Sequence, residues 1–366
     1  MNKPIESLYV HIPFCRSLCH YCDFPKLLVI DSFIKPYLLS LKKEIESYRI
    51  NKNLKTVYIG GGTPTSLSDE QFSFLLDMLD EYTQNIIEYT VEANPESLTK
   101  SKLEIMKAHG VNRLSIGVES TNDEILKSIN RLHTFDDVKK AYLEARELGF
   151  DNISFDIIIG LPNVTDEILI KDIKNLIDLN PEHISCYSLT VHENTVMGIK
   201  GIEPASDDEM RDKYDIVNNL LTEAGYIHYE VSNWCKSNKE SKHNLTYWKD
   251  EYFYGVGLGA SGYVDDYRYD NTKSINEYIK GKCVSQRGYV DPKDDFSYLM
   301  LALRTIFGIN YQEYNDRFHK DFLKKYLPKI KSNNYEKYFV FESENAHLTY
   351  EGMMILDKIL IDITFE

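Results

Sequence analysis

Six short β-rich runs alternate with amphipathic helical stretches up to about Leu189, and this alternation constrains the fold more than any other feature of the sequence. We predict strands at residues 7–12, 55–59, 89–93, 113–118, 153–159 and 183–189. Apolar residues recur every three or four positions between them, which predicts covering helices at 31–48, 69–81, 100–109, 135–148 and 166–179. The pattern therefore indicates an α/β fold, a partial parallel (βα)6 barrel.

The pattern loosens after Thr190, and a chain of 366 residues is longer than a typical single domain. We predict a core domain at residues 1–225 and a connecting region, rich in Tyr, Trp and Gly, at 226–290. A small, mainly helical C-terminal domain is expected at 291–366.

Charge and cysteine usage exclude several classes of protein. A net charge of −15 and a pI near 5.2 argue against a nucleic-acid partner. The sequence has no apolar run long enough to span a membrane, and its N-terminus lacks the features of a secretory signal. Six cysteines, three of them scattered, do not form a disulfide framework. We therefore expect a cytoplasmic protein with reduced thiols.

Three of these cysteines, Cys15, Cys19 and Cys22, lie on one loop directly after the first predicted strand. An ordinary 4Fe-4S cluster takes four protein cysteines, so three thiolates would leave one iron with an open coordination position. The alternative is a zinc site completed by His11 or His20, since zinc also binds closely spaced thiolates and imidazoles.

A glycine run and several carboxylates follow the next predicted strands. Residues 60–62 are all glycine, and glycine permits close backbone approach to a ligand. Glu92, Glu119 and Asp156 lie at or near the ends of later strands. Because the carboxyl ends of barrel strands converge on one face, we expect these groups to share one ligand site with the cysteine loop.

The spacing Cys-x-x-x-Cys-x-x-Cys resembles the signature of the radical S-adenosylmethionine (SAM) superfamily. Its context, YVHIPFC followed by CHYC, resembles the branch that contains oxygen-independent coproporphyrinogen III oxidases and HemW-type heme chaperones. The resemblance implies a 4Fe-4S cluster on the three cysteines and reductive cleavage of SAM to a deoxyadenosyl radical. It assigns the SAM contacts to Tyr9, Gly61, Gly62, Thr63, Glu92, Glu119, Arg131 and Asp156.

Two features separate the members of this branch. The oxidases typically carry a further cysteine where this chain has Phe24, and a sizeable extension where only eight residues precede Tyr9. His243, Tyr247 and Trp248 resemble the HNxxYW region of the chaperones, in which imidazole can ligate heme iron and aromatic rings can stack on the macrocycle. Alternatively, these three residues are a capping or core histidine and packing aromatics.

The resemblance thus implies a heme chaperone that binds a 4Fe-4S cluster, SAM and heme and passes heme to hemoproteins of the respiratory chain. The competing hypothesis is an oxygen-independent oxidase that converts coproporphyrinogen III to protoporphyrinogen IX. Whether SAM is cleaved in the working cycle stays open. The family also leaves open peripheral contact with a membrane and a homodimer.

Overall fold

The computed structural model describes residues 4–365 and contains the six predicted strands, with small shifts at their ends. These strands are β1 (Ser7–Ile12), β2 (Thr56–Gly61), β3 (Glu88–Ala93), β4 (Arg113–Glu119), β5 (Ile153–Ile159) and β6 (His183–Ser188). All six are parallel and hydrogen-bonded in chain order. The fold prediction of a partial parallel barrel is confirmed.

Three strands from the predicted connecting region extend this sheet at both edges. They are β7 (Ile227–Glu230), β8 (Asn233–Cys235) and β9 (Tyr254–Val256). The sheet order is β9-β1-β2-β3-β4-β5-β6-β8-β7, in which β9 runs parallel to β1 and β8 runs antiparallel to β6. The region between the core and the C-terminus therefore contributes structure to the sheet itself, while the domain boundaries at 225 and 290 stay predictions.

The helices pack on the outside of the sheet, and all but α1 of those named below begin at a polar capping residue. Ser68 and Thr134 form capping boxes at the starts of the second and fifth helices. The predicted helix 69–81 ends at Asp77 and is followed by a separate 3-10 turn at Asp80–Tyr82. The helices of this part are α1 (Asp31–Ser47), α2 (Asp69–Asp77), α3 (Lys100–Ala108), α4 (Asp123–Ser128), α5 (Phe135–Glu147), α6 (Asp166–Leu179), α7 (Val196–Ile199) and α8 (Asp207–Glu223).

The two faces of the sheet differ in polarity because side chains alternate along each strand. Outward positions such as Val57, Val91 and Ile116 are fully buried in the core against the helices. Inward positions carry polar groups, such as Tyr58, Glu92 and Asp156. The barrel interior is therefore a polar chamber.

The last part of the chain has a separate apolar core and its own small sheet. Its core is formed by residues between Tyr298 and Ile363. The elements before and within it are α9 (Lys242–Trp248), β10 (Ser261–Val264), β11 (Tyr267–Asn271), α10 (Ile275–Ile279), β12 (Val284–Tyr289), α11 (Phe296–Ala302), β13 (Ile309–Asn310), α12 (Tyr311–Phe318), α13 (Phe322–Ser332), β14 (Phe339–Phe341), β15 (Asn345–Leu348), α14 (Tyr350–Met354) and α15 (Leu356–Thr364). In the described part of the chain, no helix is both long and apolar enough to cross a bilayer.

Candidate cluster and cofactor site

A cavity of about 430 Å³ opens at the carboxyl ends of the parallel strands. Ten of the residues predicted from sequence line it: Cys15, Cys19, Cys22, Gly61, Gly62, Thr63, Glu92, Glu119, Arg131 and Asp156. The lining does not include Tyr9, His243, Tyr247 or Trp248. The barrel thus brings the three thiols, the glycine run and the carboxylates to one place, as the strand-end rule predicts.

The cysteine loop is held by backbone hydrogen bonds. Val29 N donates to the carbonyl of Cys15 at 2.9 Å, and His20 N donates to the carbonyl of Ile129 at 3.1 Å. The side chain of Asn130 donates to the hydroxyl of Ser17 at 2.8 Å. The loop therefore has a fixed path, which keeps the thiols facing the cavity.

The spacing of the thiols separates the cluster from the zinc alternative. A tetrahedral zinc ion with Zn–S bonds of about 2.3 Å brings its sulfur ligands to about 3.8 Å from one another. In residues 4–365, the Sγ atoms of the three cysteines do not all lie within 4.8 Å of one another. This open spacing suits the larger 4Fe-4S group better than a single zinc ion.

The glycine run can only be glycine. Gly61 has φ +108°, and a Cβ there would lie 2.4 Å from the ring of His11. A Cβ on Gly62 would lie 3.0 Å from Sγ of Cys15 and 2.8 Å from the carbonyl carbon of Pro13. The backbone of β2 consequently passes close to the cysteine loop, and Gly61 and Gly62 line the cavity beside it.

Three carboxylates form one wall of the cavity, which we call the acidic wall: Glu92, Glu119 and Asp156. Burial, together with the charge of Asp156, raises the pKa of Glu92 to about 7. Burial also raises the pKa values of Glu119 and Asp156, even though Arg131 and neighbouring serines oppose this. Carboxylates that resist ionisation because they are buried together suit a cationic ligand, such as the ammonium and sulfonium groups of SAM.

Arg131 connects the acidic wall to the cysteine loop. Its Nη1 lies 3.7 Å from Oε1 of Glu119 and 3.7 Å from Sγ of Cys19. Its Nη2 donates to Oδ1 of Asn94 at 3.0 Å, and Asn94 donates from Nδ2 to Oγ1 of Thr63 at 3.3 Å. Asn94 was not predicted as a site residue, although it lies one residue beyond β3, where ligand groups are expected.

Two tyrosines lie behind the wall. Tyr58 donates a hydrogen bond of 2.8 Å to Oε1 of Glu92, while Gly61 N donates to Oε2 at 3.0 Å. Tyr9 lies deeper, with its ring 6.1 Å from Tyr58 and its hydroxyl 3.0 Å from Nδ1 of His11. Sequence reasoning missed Tyr58; the signal was its inward position in β2, two residues before Gly60.

The HNxxYW residues lie on α9, and the ring of His243 is enclosed. Glu88 accepts hydrogen bonds from the backbone N–H groups of Lys242 and His243, each at 2.9 Å. The two ring nitrogens of His243 lie 2.8 Å from Oγ1 of Thr56 and 2.8 Å from the hydroxyl of Tyr247. Because both nitrogens are engaged and the residue is fully buried, this geometry favours the core alternative over the predicted heme-ligand role.

The structure does not bring the three HNxxYW side chains together on one surface. His243 packs on the ring of Tyr58 at 5.3 Å and Tyr247 packs on Phe253 at 4.6 Å. Trp248 instead lines a groove of about 830 Å³ between α9 and the C-terminal core, with Tyr298.

Comparisons with known proteins identify the family of the chain. Residues 9–176 match the radical SAM superfamily. The heme chaperone HemW of Bacillus subtilis is 36% identical over 97% of this chain and 98% of its own length. The corresponding protein of Lactococcus lactis is 35% identical over 99% of each chain, and that of Escherichia coli is 33% identical over 84% of each.

A solved structure agrees at the level of the fold. The coproporphyrinogen III oxidase of Escherichia coli, a radical SAM enzyme, has a TM-score of 0.84 over 100% of this chain and 91% of its own. Its sequence identity is 22%, so the similarity shows a shared fold. Because two HemW proteins are 35–36% identical to this chain over nearly its full length, the chain belongs to the HemW family within the radical SAM superfamily.

Proposed function

We propose that this chain is a heme chaperone that holds a 4Fe-4S cluster and SAM in its barrel cavity, binds heme and passes it to respiratory hemoproteins. One observation supports this most: three thiols, a glycine run and the acidic wall line one cavity, in a chain whose full-length relatives are named heme chaperones. The proposal concerns transfer of heme rather than its chemical conversion.

Cys15, Cys19 and Cys22 would hold the cluster, which when bound supplies one-electron chemistry and an open iron position. Hydrogen-bond donors of the chain lie beside two of the three thiols. Oγ1 of Thr63 lies 3.7 Å from Sγ of Cys15, and Nη1 of Arg131 lies at the same distance from Sγ of Cys19. Donors to cluster sulfurs, and a nearby positive charge, make reduction easier.

SAM would lie between the glycine run and the acidic wall. The backbone of residues 60–62 offers a close approach, and the acidic wall offers acceptors for ammonium and hydroxyl groups. Tyr58 orients the carboxylate of Glu92 from behind. A cationic ligand would favour the ionised forms of these acids, so binding of SAM would lower their pKa values.

The competing function is oxidative decarboxylation of coproporphyrinogen III, and the shared fold keeps it under consideration. Phe24 argues against it, because the oxidases that this chain resembles typically carry a cysteine there. The Phe24 side chain is 62% exposed beside the cavity, so it supplies an apolar surface and no thiol.

The test compares both activities in the full chain after anaerobic cluster reconstitution. We expect saturable binding of hemin, followed by transfer to an apo-hemoprotein acceptor, and no protoporphyrinogen from coproporphyrinogen III with SAM and reductant. A Cys22→Ala variant should lose the iron-sulfur absorbance, whereas Cys283→Ala, outside the cavity, should keep it. Formation of protoporphyrinogen would overturn the chaperone proposal.

Several expectations stay predictions beside this proposal. They are the cytoplasmic location, the respiratory recipients, a homodimer, contact with a membrane surface and the absence of a nucleic-acid partner.

A further inference from the structure

His192 is a histidine at the mouth of the cavity, on the loop between β6 and α7. Of the histidines in residues 4–365, it is the one that lines the cavity holding the three thiols. Its carbonyl accepts hydrogen bonds from the backbone N–H and the hydroxyl of Thr195, at 3.0 and 2.7 Å. The loop that carries this imidazole is therefore fixed in place.

A carboxylate orients the ring of His192. Its Nε2 lies 3.3 Å from Oδ2 of Asp23, the residue after Cys22. Imidazoles that ligate metals commonly have such a carboxylate on the ring nitrogen that does not bind the metal. The side chain is 46% exposed and lines the cavity.

Two exposed apolar side chains line the same cavity as this imidazole. Phe24 and Tyr187 line the same cavity and are 62% and 43% exposed. Ile199, in α7, is 77% exposed, and the Met197 backbone N–H ties α7 to the carbonyl of His20 in the cysteine loop. Exposed apolar side chains around one opening mark a surface that an apolar partner covers.

The groove beside Trp248 is less suited to heme, although it is larger. It contains no histidine among its lining residues. Arg317, one of its two cationic residues, is already paired with Asp250.

We propose that heme binds across the mouth of the barrel cavity, with Nδ1 of His192 as an axial ligand to its iron and with Phe24 and Tyr187 against the macrocycle. This inference rests on the proposed function, since it names the heme site of the chaperone. It also separates heme from α9, where sequence reasoning expected the iron ligand. Heme bound there would share the opening of the cavity that the cluster and SAM would occupy.

The test is an anaerobic titration of hemin into the cluster-reconstituted full chain, followed by Soret absorbance and by electron paramagnetic resonance of the ferric heme. We expect His192→Ala to weaken binding at least tenfold and to lose the imidazole-ligated spectrum, which free imidazole should partly restore. Asp23→Asn should weaken binding less. The control is His319→Asn, an exposed histidine of the C-terminal region in a left-handed conformation that asparagine tolerates, and it should bind as the wild type does.

The outcomes separate the two proposals. Saturable binding by the wild type, with unchanged affinity and spectrum in His192→Ala, would overturn the His192 site and leave the chaperone function standing. A loss of binding in His243→Ala alone, with that variant folded and its cluster intact, would return the site to α9. An absence of hemin binding in the wild type would overturn both proposals.

Discussion

Tyr58 donates a hydrogen bond of 2.8 Å to the carboxylate of Glu92, and the same ring packs against His243 at 5.3 Å. The acidic wall of the cavity is thus supported from behind by α9, which also receives its N-terminal cap from Glu88. The HNxxYW helix therefore supports the acidic wall through contacts, without lining the cavity.

Removing the Tyr58 hydroxyl should weaken SAM binding. The Tyr58 hydrogen bond lowers the pKa of Glu92, so Tyr58→Phe should raise that pKa further above 7 and leave less carboxylate at neutral pH. We expect the Kd for SAM to increase about tenfold at pH 7, or about 1.4 kcal/mol in binding free energy. The difference in Kd between variant and wild type should be smaller at pH 8.5. Equilibrium binding of SAM at the two pH values measures this effect. Tyr89→Phe, whose hydroxyl has no hydrogen-bond partner in the described residues, is the control.

Gly61→Ala should remove SAM binding and destabilise the core domain. The new Cβ would meet the buried ring of His11 at 2.4 Å, in addition to the strain of a positive φ. The matched control is Gly110→Ala, which has a positive φ of +79° but open space around its Cβ, so it isolates backbone strain of about 1 kcal/mol. Urea unfolding and SAM binding should show a larger loss at Gly61; equal losses would contradict the steric explanation.

Arg131→Gln should make the cluster harder to reduce. The variant removes a positive charge 3.7 Å from Sγ of Cys19, and positive charge near the sulfurs stabilises the reduced cluster. We expect a shift of tens of millivolts toward negative potential in a redox titration followed by electron paramagnetic resonance. Arg131→Lys keeps the charge and should have a potential close to that of the wild type. An unchanged potential in Arg131→Gln would show that solvent screens this charge.

Glu230→Gln should flatten the pH dependence of stability. Burial raises the pKa of Glu230 to about 8, against about 4.5 in an unfolded chain. The native state holds its proton more tightly, so the stability that this group contributes is complete below pH 4.5 and is lost as pH rises toward 8. The free energies of unfolding at pH 5.5 and pH 8.5, measured with urea, should differ less in the variant than in the wild type. The reduction in this difference should be about 2 kcal/mol or more. Glu223→Gln, at an exposed helix position, should behave as the wild type does.

The parallel strands and the cavity were predictable because their signals are local or periodic. Each strand has a short β-rich run, and the barrel rule places Glu92, Glu119 and Asp156 beside the cysteine loop without knowledge of any contact. The environment of His243 was not predictable in this way. Its orientation depends on Thr56 and Tyr247, and Thr56 is far from it in sequence.

β9, the strand that covers the outer edge of β1, was not predicted from the sequence for a related reason. β9 has three residues, and its partner β1 is at the opposite end of the core sequence. A strand of three residues is too short to show an alternating apolar and polar pattern in the sequence. Its pairing depends on which edge of the sheet remains open. The same holds for β8, which turns back antiparallel on β6.

The position of β9 beside β1 also has a consequence for biosynthesis. Val10 pairs with Val256, so about 240 residues must leave the ribosome before the outer edge of the first strand is covered. At translation rates of roughly 5 to 20 residues per second, the nascent chain carries this open edge for about 10 to 50 s. The cysteine loop follows that strand directly, so its three thiols are synthesised long before the sheet is complete.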